Sequence, residues 1–218
     1  MNKNLVFAID CDEVLRSTLC NMVRIYNEEI GDNMKCEDVK EFDVSVSFPR
    51  IEKETGIPAQ EWFFDCHSKE LFLDSKPIKG AKKAVDILKK YGKVVILTYQ
   101  RSCENKLHTL EWLCKNKMAA DDICFLKDKN LLQCDYLIDD NVKNFIGSCA
   151  TNAVLITAPY NENFVVEDYP GMRKITDKSL YDIILKSKIV TAQRFDNILD
   201  FAKSIESEFK TKTYIVNE

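Results

Sequence analysis

Near its start the chain carries an apolar run, Leu5-Val6-Phe7-Ala8-Ile9, that stops abruptly at two acids, Asp10 and Asp12. A run this short and this apolar, without helical period, reads as a buried strand. Strand side chains alternate with a period of two, so both carboxylates leave the strand end on one side. Carboxylates that close repel each other unless a cation stands between them. The chain must therefore bury this strand along its length and still leave its carboxyl end open to an ion.

The same pattern recurs downstream. Lys93–Thr98, Ile123–Leu126, Cys134–Asp140 and Ala153–Thr157 read as further strands, the second continuously apolar as a central parallel strand is. Between them, helical spacing predicts helices from Val14 to about Ile30, from Pro77 to Tyr91 and from Glu104 to Lys117. Strands alternating with helices predict an α/β fold: a Rossmann-like parallel sheet with helices on both faces. Ligands gather at the carboxyl ends of such strands. Asp10, Thr98 and the pair Asp139-Asp140 all fall at those ends.

Residues 34–74 differ in texture, with Pro49, Pro58 and the aromatics Phe42, Phe48, Trp62, Phe63, Phe64 and Phe72. Ala59 to Leu71 reads as a short helix. We expect a small helical cap, 18–74, inserted after the first strand and helix, in a core made of 1–17 and 75–187. Residues 188–218 read as a C-terminal helical extension. In the last part of the chain, Asp177 would cap a helix through Leu185, and another helix is expected over Arg194–Lys210. Tyr214-Ile215-Val216 would be a small strand or a tail.

Composition limits the partners. The net charge is −4 and the pI about 5.4, which gives no reason to expect polynucleotide binding, so a substrate phosphate needs a local site. The nine cysteines are scattered, with no C-x-x-C pair. They read as reduced, buried thiols of a cytoplasmic protein. The first apolar run is too short for a signal-peptide core, and no run approaches a membrane span.

From the residues alone, Asp10, Asp12, Asp139 and Asp140 form an all-oxygen cluster that suits Mg²⁺. A carboxylate beside that ion can attack a phosphate, and the second acid of the pair can move the proton. Thr98 and a lysine of the Lys127–Lys129 segment would hold phosphate oxygens. A single Asp-x-Asp is more often a capping pair, and a single threonine a turn hydroxyl; their order along three strands carries the reading. Arg101 reads as a surface arginine, and His67 and His108 have no partner in the pattern.

That order resembles the haloacid dehalogenase superfamily of phosphohydrolases: Asp10-Cys11-Asp12, then Val94-Val95-Ile96-Leu97-Thr98, then a lysine, then Leu137-Ile138-Asp139-Asp140. The resemblance implies Asp10 as nucleophile and metal ligand. It implies Asp12 as acid/base with its backbone carbonyl on the metal, Thr98 on the phosphate, Asp140 on the metal, and Asp139 in support. Lys129-Asn130-Leu131-Leu132-Gln133-Cys134-Asp135 is similar to the segment before the acid pair in the 5'(3')-deoxyribonucleotidases, which selects Lys129. Pro77-Ile78-Lys79-Gly80-Ala81 and Ala158-Pro159-Tyr160-Asn161, with Arg173 further on, point to the same branch. Glu13 stands where those enzymes usually have glycine.

The implied activity is Mg²⁺-dependent hydrolysis of a nucleoside monophosphate through an aspartyl-phosphate, with one or more of Trp62, Phe63 and Phe64 on the base. A homodimer is compatible with the sequence. The alternatives are a phosphatase of another small metabolite and a catalytically silent nucleotide-binding relative; the presence of Asp12 counts against the latter.

Overall fold

The computed structural model describes residues 5–162, 166–169, 172–175, 189 and 191–215. The first strand, β1 (Leu5–Ile9), lies in the middle of the sheet. Its neighbours are β2 (Gly92–Thr98) on one side and β4 (Tyr136–Asp139) on the other, both parallel to it. With β3 (Asp122–Phe125), β5 (Asn152–Ile156) and β8 (Thr191–Phe195) the order is β3-β2-β1-β4-β5-β8. The chain runs outward through β2 and β3, returns past β1, and continues through β4 and β5. The order reverses at β1 and β4, the place where such sheets open a crevice at their carboxyl ends. A short antiparallel hairpin, β6 (Val166–Tyr169) with β7 (Met172–Ile175), stands apart from this sheet; sequence patterning did not predict it.

The registers Ile9↔Ile96 and Ile9↔Ile138 bring the ends of the three central strands level. β1 and β2 approach so closely that a Cβ on Gly92 would lie 2.2 Å from the Leu5 carbonyl oxygen, which explains a glycine at the start of β2. One sheet face packs Phe7, Ile9, Val94, Ile96, Ile138 and Val154 against α6 (Ala81–Leu88), α7 (Cys103–Lys115) and α8 (Ile198–Ile215). The other buries Ala8, Leu97, Leu137 and Leu155 under Val142, Phe145 and Ile189.

Between β1 and α6 lie α1 (Thr18–Ile30), α2 (Val44–Ser47), α3 (Arg50–Thr55), α4 (Ala59–Glu61) and α5 (Ser68–Leu73). Their own apolar cluster gathers Leu19, Met22, Tyr26, Phe48, Phe63 and Phe72. The helix expected from Ala59 is divided, because a π-turn, Trp62–Cys66, separates α4 from α5.

Several expectations are corrected. The helix after β1 starts at Thr18 and not at Val14, because Glu13 takes a left-handed φ of 54° and the chain turns before it winds. The helix after Pro77 starts at Ala81, since Gly80 adopts φ 87° beside Leu199. The C-terminal segment does not append to the core. Residues Thr191–Phe195 are its sixth parallel strand, in register with β5, and Phe201, Ala202 and Ile205 of α8 lie in the main core. Helical spacing from Arg194 hid the strand. Tyr214 and Ile215 continue α8. Cys20 and Cys36 form a disulfide with Cα atoms 5.2 Å apart, against the expectation of nine reduced thiols. The fold brings the start of α1 beside the 3₁₀ turn Cys36–Asp38, a meeting invisible in the spacing. Of the free cysteines, Cys11 and Cys134 are buried and Cys66, Cys103 and Cys114 are exposed. The helix expected over Asp177–Leu185 lies outside the described residues, as does the side chain of Arg173. Among the described residues no helix is long and apolar enough to cross a membrane.

Candidate active site

The level strand ends deliver Asp10, Thr98, Asp139 and Asp140 to one place, and all four are buried. Carboxylate oxygens of Asp10, Asp139 and Asp140 lie within 4.8 Å of one another. Lys129, held by a 3₁₀ turn after β3, enters this group with Nζ 3.0 Å from Asp10 Oδ1 and 2.6 Å from Asp139 Oδ2. Of the two candidate lysines, Lys129 is the one buried among the acids; Lys127 is exposed at the cavity rim.

The cluster is short of positive charge. Burial, with the charges of Asp139 and Asp12, pushes the Asp10 carboxyl up to about 7, although Lys129 opposes this. Burial and the neighbouring acids push Asp140 well above the carboxylate range. Lys129 is likewise held above its ordinary value, in its charged form, because Asp10 and Asp139 outweigh its own loss of solvent. Asp139 is the most occupied of the three. It accepts from Lys129, from the Asn141 backbone N–H at 2.9 Å and from Asn144 Nδ2 at 2.9 and 3.0 Å. Asp140 accepts from the Tyr160 hydroxyl, and its carbonyl accepts from Asn161 Nδ2 at 2.7 Å. On Asp10, Lys129 and the Cys11 N–H both hold Oδ1, so Oδ2 is the less engaged oxygen.

Asp12 sits outside the cluster. Its Oδ1 accepts from Arg16 Nε at 2.9 Å and from the Thr18 hydroxyl and pairs with the Arg16 Nη2 charge at 2.8 Å, while Oδ2 accepts from Gln100 Nε2 at 3.1 Å. A metal ligand from Asp12 would thus be its backbone carbonyl, as the resemblance implies, and not its carboxylate. Glu13 turns back to accept from the Leu19 N–H at 2.5 Å. Burial pushes its carboxyl up to about 7.

A cavity of about 580 Å³ opens over these residues. Asp10, Asp12, Thr98, Lys129 and Asp140 form its floor. Its upper wall includes Phe42, Phe64 and Phe72 from the helical insert. Of the three aromatics singled out in the sequence only Phe64 reaches this wall. Trp62 and Phe63 are buried in the insert, packed on each other and, for Phe63, on Phe48. Sequence reading missed Gln100, Arg16, Phe42 and Tyr160. The last two meet edge to face at 5.4 Å across the cavity mouth. The segment Tyr160-Asn161 carried the only signal, through its likeness to the deoxyribonucleotidases.

An all-oxygen group of buried acids with one ammonium fits a hard divalent cation. If Asp10, Asp139 and Asp140 all ionise, Lys129 leaves two negative charges uncompensated. Thr98 at the end of β2 and the Lys129 ammonium both line the cavity.

Comparison with known proteins agrees. The family model described as "5' nucleotidase, deoxy (Pyrimidine), cytosolic type C protein" matches residues 4–190. Two Staphylococcus epidermidis proteins, each provisionally named a 5'(3')-deoxyribonucleotidase, are 30% identical to the chain. One aligns over 160 residues, 72% of this chain and 84% of its own; the other over 158 residues, 71% and 83%. Among solved structures, the HAD-hydrolase YfnB of Bacillus subtilis, solved bound to magnesium, superposes with a TM-score of 0.55 at 11% identity, covering 91% of this chain and 96% of its own. A haloacid dehalogenase-like hydrolase of Streptococcus pneumoniae gives 0.53 at 10% identity, covering 94% and 100%. These two show the shared fold. The acids at the three strand ends, the fold that gathers them and the family match over 4–190 together make this chain a member of the deoxy (pyrimidine) cytosolic type C 5'-nucleotidase family, hydrolases of phosphomonoesters with a haloacid dehalogenase-like fold.

Proposed function

We propose that the chain hydrolyses nucleoside 5'-monophosphates, deoxynucleotides by preference, through an aspartyl-phosphate on Asp10. The observation that carries this reading is the charge deficit of the Asp10, Asp139 and Asp140 group, facing a cavity large enough for a nucleotide. Asp10, Asp140 and the backbone carbonyl of Asp12 would hold Mg²⁺, with Asp139 fixing Lys129. When bound, the ion supplies the missing positive charge and draws a phosphate dianion against Asp10.

Asp10 Oδ2 attacks phosphorus while Lys129 and Thr98 hold the equatorial oxygens. The bond from phosphorus to the sugar oxygen breaks, and that oxygen takes the proton that Asp12 carries on Oδ2 in the substrate complex. In the second half, Asp12 takes a proton from water, the water oxygen attacks phosphorus, and the carboxylate of Asp10 leaves. Phosphate and the nucleoside are the products, and both acids return to their starting state. Phe64 contacts the base.

Inorganic phosphate release from a panel of deoxynucleotides, ribonucleotides and sugar phosphates, with Mg²⁺ and then with a chelator, tests this. Deoxynucleoside 5'-monophosphates are expected to turn over best, and chelation to abolish turnover. Inert deoxynucleotides beside a well-hydrolysed sugar phosphate would overturn it.

A further inference from the structure

Arg16 is fully buried, which is rare for a side chain that is always charged. Every face of its guanidinium is used. Nε and Nη2 grip Asp12 Oδ1 at 2.9 and 2.8 Å. Nη1 donates to the Phe72 carbonyl at 3.1 Å, at the end of the insert, and Nη2 to the Thr109 hydroxyl at 3.3 Å, on α7. The ring faces of Phe72 and Trp112 lie 4.8 and 5.2 Å from Cζ. The Arg16 backbone is bridged to Asp12 and to Pro77. Such a side chain has no freedom to follow a moving partner, and its one salt bridge is to Asp12.

The consequence falls on Asp12. A carboxylate oxygen has about two lone-pair directions, and Oδ1 already meets Arg16 Nε, Arg16 Nη2 and the Thr18 hydroxyl. Among the described residues, Oδ2 meets only the neutral Gln100 amide, at 3.1 Å. The two oxygens are therefore unequal: one is anchored and one is available. We infer that Arg16 is a positioning residue, which locks Asp12 through Oδ1 so that Oδ2 is the atom that passes the proton to the departing oxygen and takes it from water. This rests on the reading of Asp12 as proton carrier. It also makes the proton carrier fixed in space before substrate arrives, tied at once to the insert through Phe72 and to α7 through Thr109.

The test compares two leaving groups. A nucleoside 5'-oxygen departs poorly without a proton, whereas p-nitrophenolate departs unaided, so loss of positioned proton transfer harms the first much more. In Arg16→Met, kcat/KM for a deoxynucleoside monophosphate is expected to fall roughly 100-fold, the lower end of the range for acid catalysis, with p-nitrophenyl phosphate changed less than about 5-fold. Arg16→Lys, which can reach Asp12 but cannot fork to Phe72 and Thr109, should fall between. In an Asp12→Asn background, Arg16→Met should add nothing further.

Equal losses on both esters, or no loss, would overturn the inference, since a merely structural residue damages both alike. If Arg16→Met does not fold, the wild-type chain still decides the pairing. The Arg16 Nε–H should give a slowly exchanging ¹⁵N-detected signal that moves in Asp12→Asn; a signal indifferent to Asp12 would overturn the inference. A wild type that hydrolyses p-nitrophenyl phosphate and alkyl phosphates such as sugar phosphates but no nucleotide would overturn the nucleotide reading alone, and the alkyl arm then runs on the active ester.

Discussion

Asp10 and Asp12 are two residues apart and live in opposite electrostatic settings. Asp10 shares one buried ammonium with Asp139, and Asp140 stands beside both. Asp12 has a buried guanidinium to itself, with two further donors. The first setting is incomplete within the protein and, on the proposed reading, would be completed by a cation from outside. The second is complete in itself and needs only a substrate. One strand end thus provides an acid whose charge must be neutralised before it works and an acid already held in place. On the proposed reaction, that difference would let a single Asp-x-Asp pair divide nucleophilic attack from proton transfer.

The most forceful way to break the comparison is to remove each acid in turn. Asp10→Asn should lower phosphate release by on the order of 10⁴-fold or more, because no other side chain can carry the phosphoryl group. The effects on stability should have different signs. Asp12→Asn leaves Arg16 buried without its counterion and should cost roughly 3 kcal/mol, the lower end for breaking a buried pair. Asp10→Asn removes a repelling charge, and Lys129 keeps Asp139, so the metal-free protein should be as stable as the parent or more so. Denaturant unfolding of both variants in a chelator measures this. Equal destabilisation would mean that the two settings do not differ.

Much of this was legible in the sequence, for a physical reason. Buried parallel strands must be apolar throughout, and such strands can only end in acids where the chain leaves the core, so Asp10, Thr98, Asp139 and Asp140 were marked by the runs that precede them. What was hidden depends on tertiary meetings with no local pattern. Arg16 lies in a segment that has helical spacing but turns instead, because Glu13 adopts φ 54°. Its partners Phe72 and Thr109 are 56 and 93 residues away. Cys20 and Cys36 meet only because the insert folds back on α1. Thr191–Phe195 is a short edge strand whose last two residues share the helical spacing of α8, so a helix was expected from Arg194 and the strand went unseen. The run Trp62-Phe63-Phe64 told of aromatics near the site but not which of them would face it.

A smaller effect sharpens the contrast through pH. The Asp10 carboxyl is pushed up to about 7 from an ordinary value of 3.8. Between those values the folded, metal-free chain keeps a proton that the unfolded chain has released. Its stabilising share is therefore full below the unfolded value and is lost as pH rises through about 7. Thermal unfolding in a chelator should give a midpoint several degrees lower at pH 8 than at pH 5.5, on the order of a few kcal/mol. Mg²⁺, which needs ionised carboxylates, should raise the midpoint at pH 8 and do little at pH 5.5. A metal-free midpoint independent of pH, or the same Mg²⁺ shift at both, would remove the charge deficit from the account.

The smallest expected effect concerns Glu13, which stands between the two settings. Its carboxyl accepts from the Leu19 N–H, is pushed up to about 7 mainly by burial, and adds negative charge toward Asp140 and Tyr160. Glu13→Gln keeps an acceptor for Leu19 and removes the charge. The metal-free protein should then lose less stability between pH 5.5 and pH 8, by under about 1 kcal/mol since Glu13 is only partly buried. Glu13→Gly relieves the left-handed backbone, worth about 1 kcal/mol, but leaves the Leu19 N–H at the start of α1 without its acceptor, a loss of similar size. Its midpoint should stay near the parent's at pH 5.5 and exceed it at pH 8. A Glu13→Gln profile that still falls as steeply as the parent's would place the whole pH effect on Asp10 and its neighbours, leaving Glu13 with a role in the turn alone.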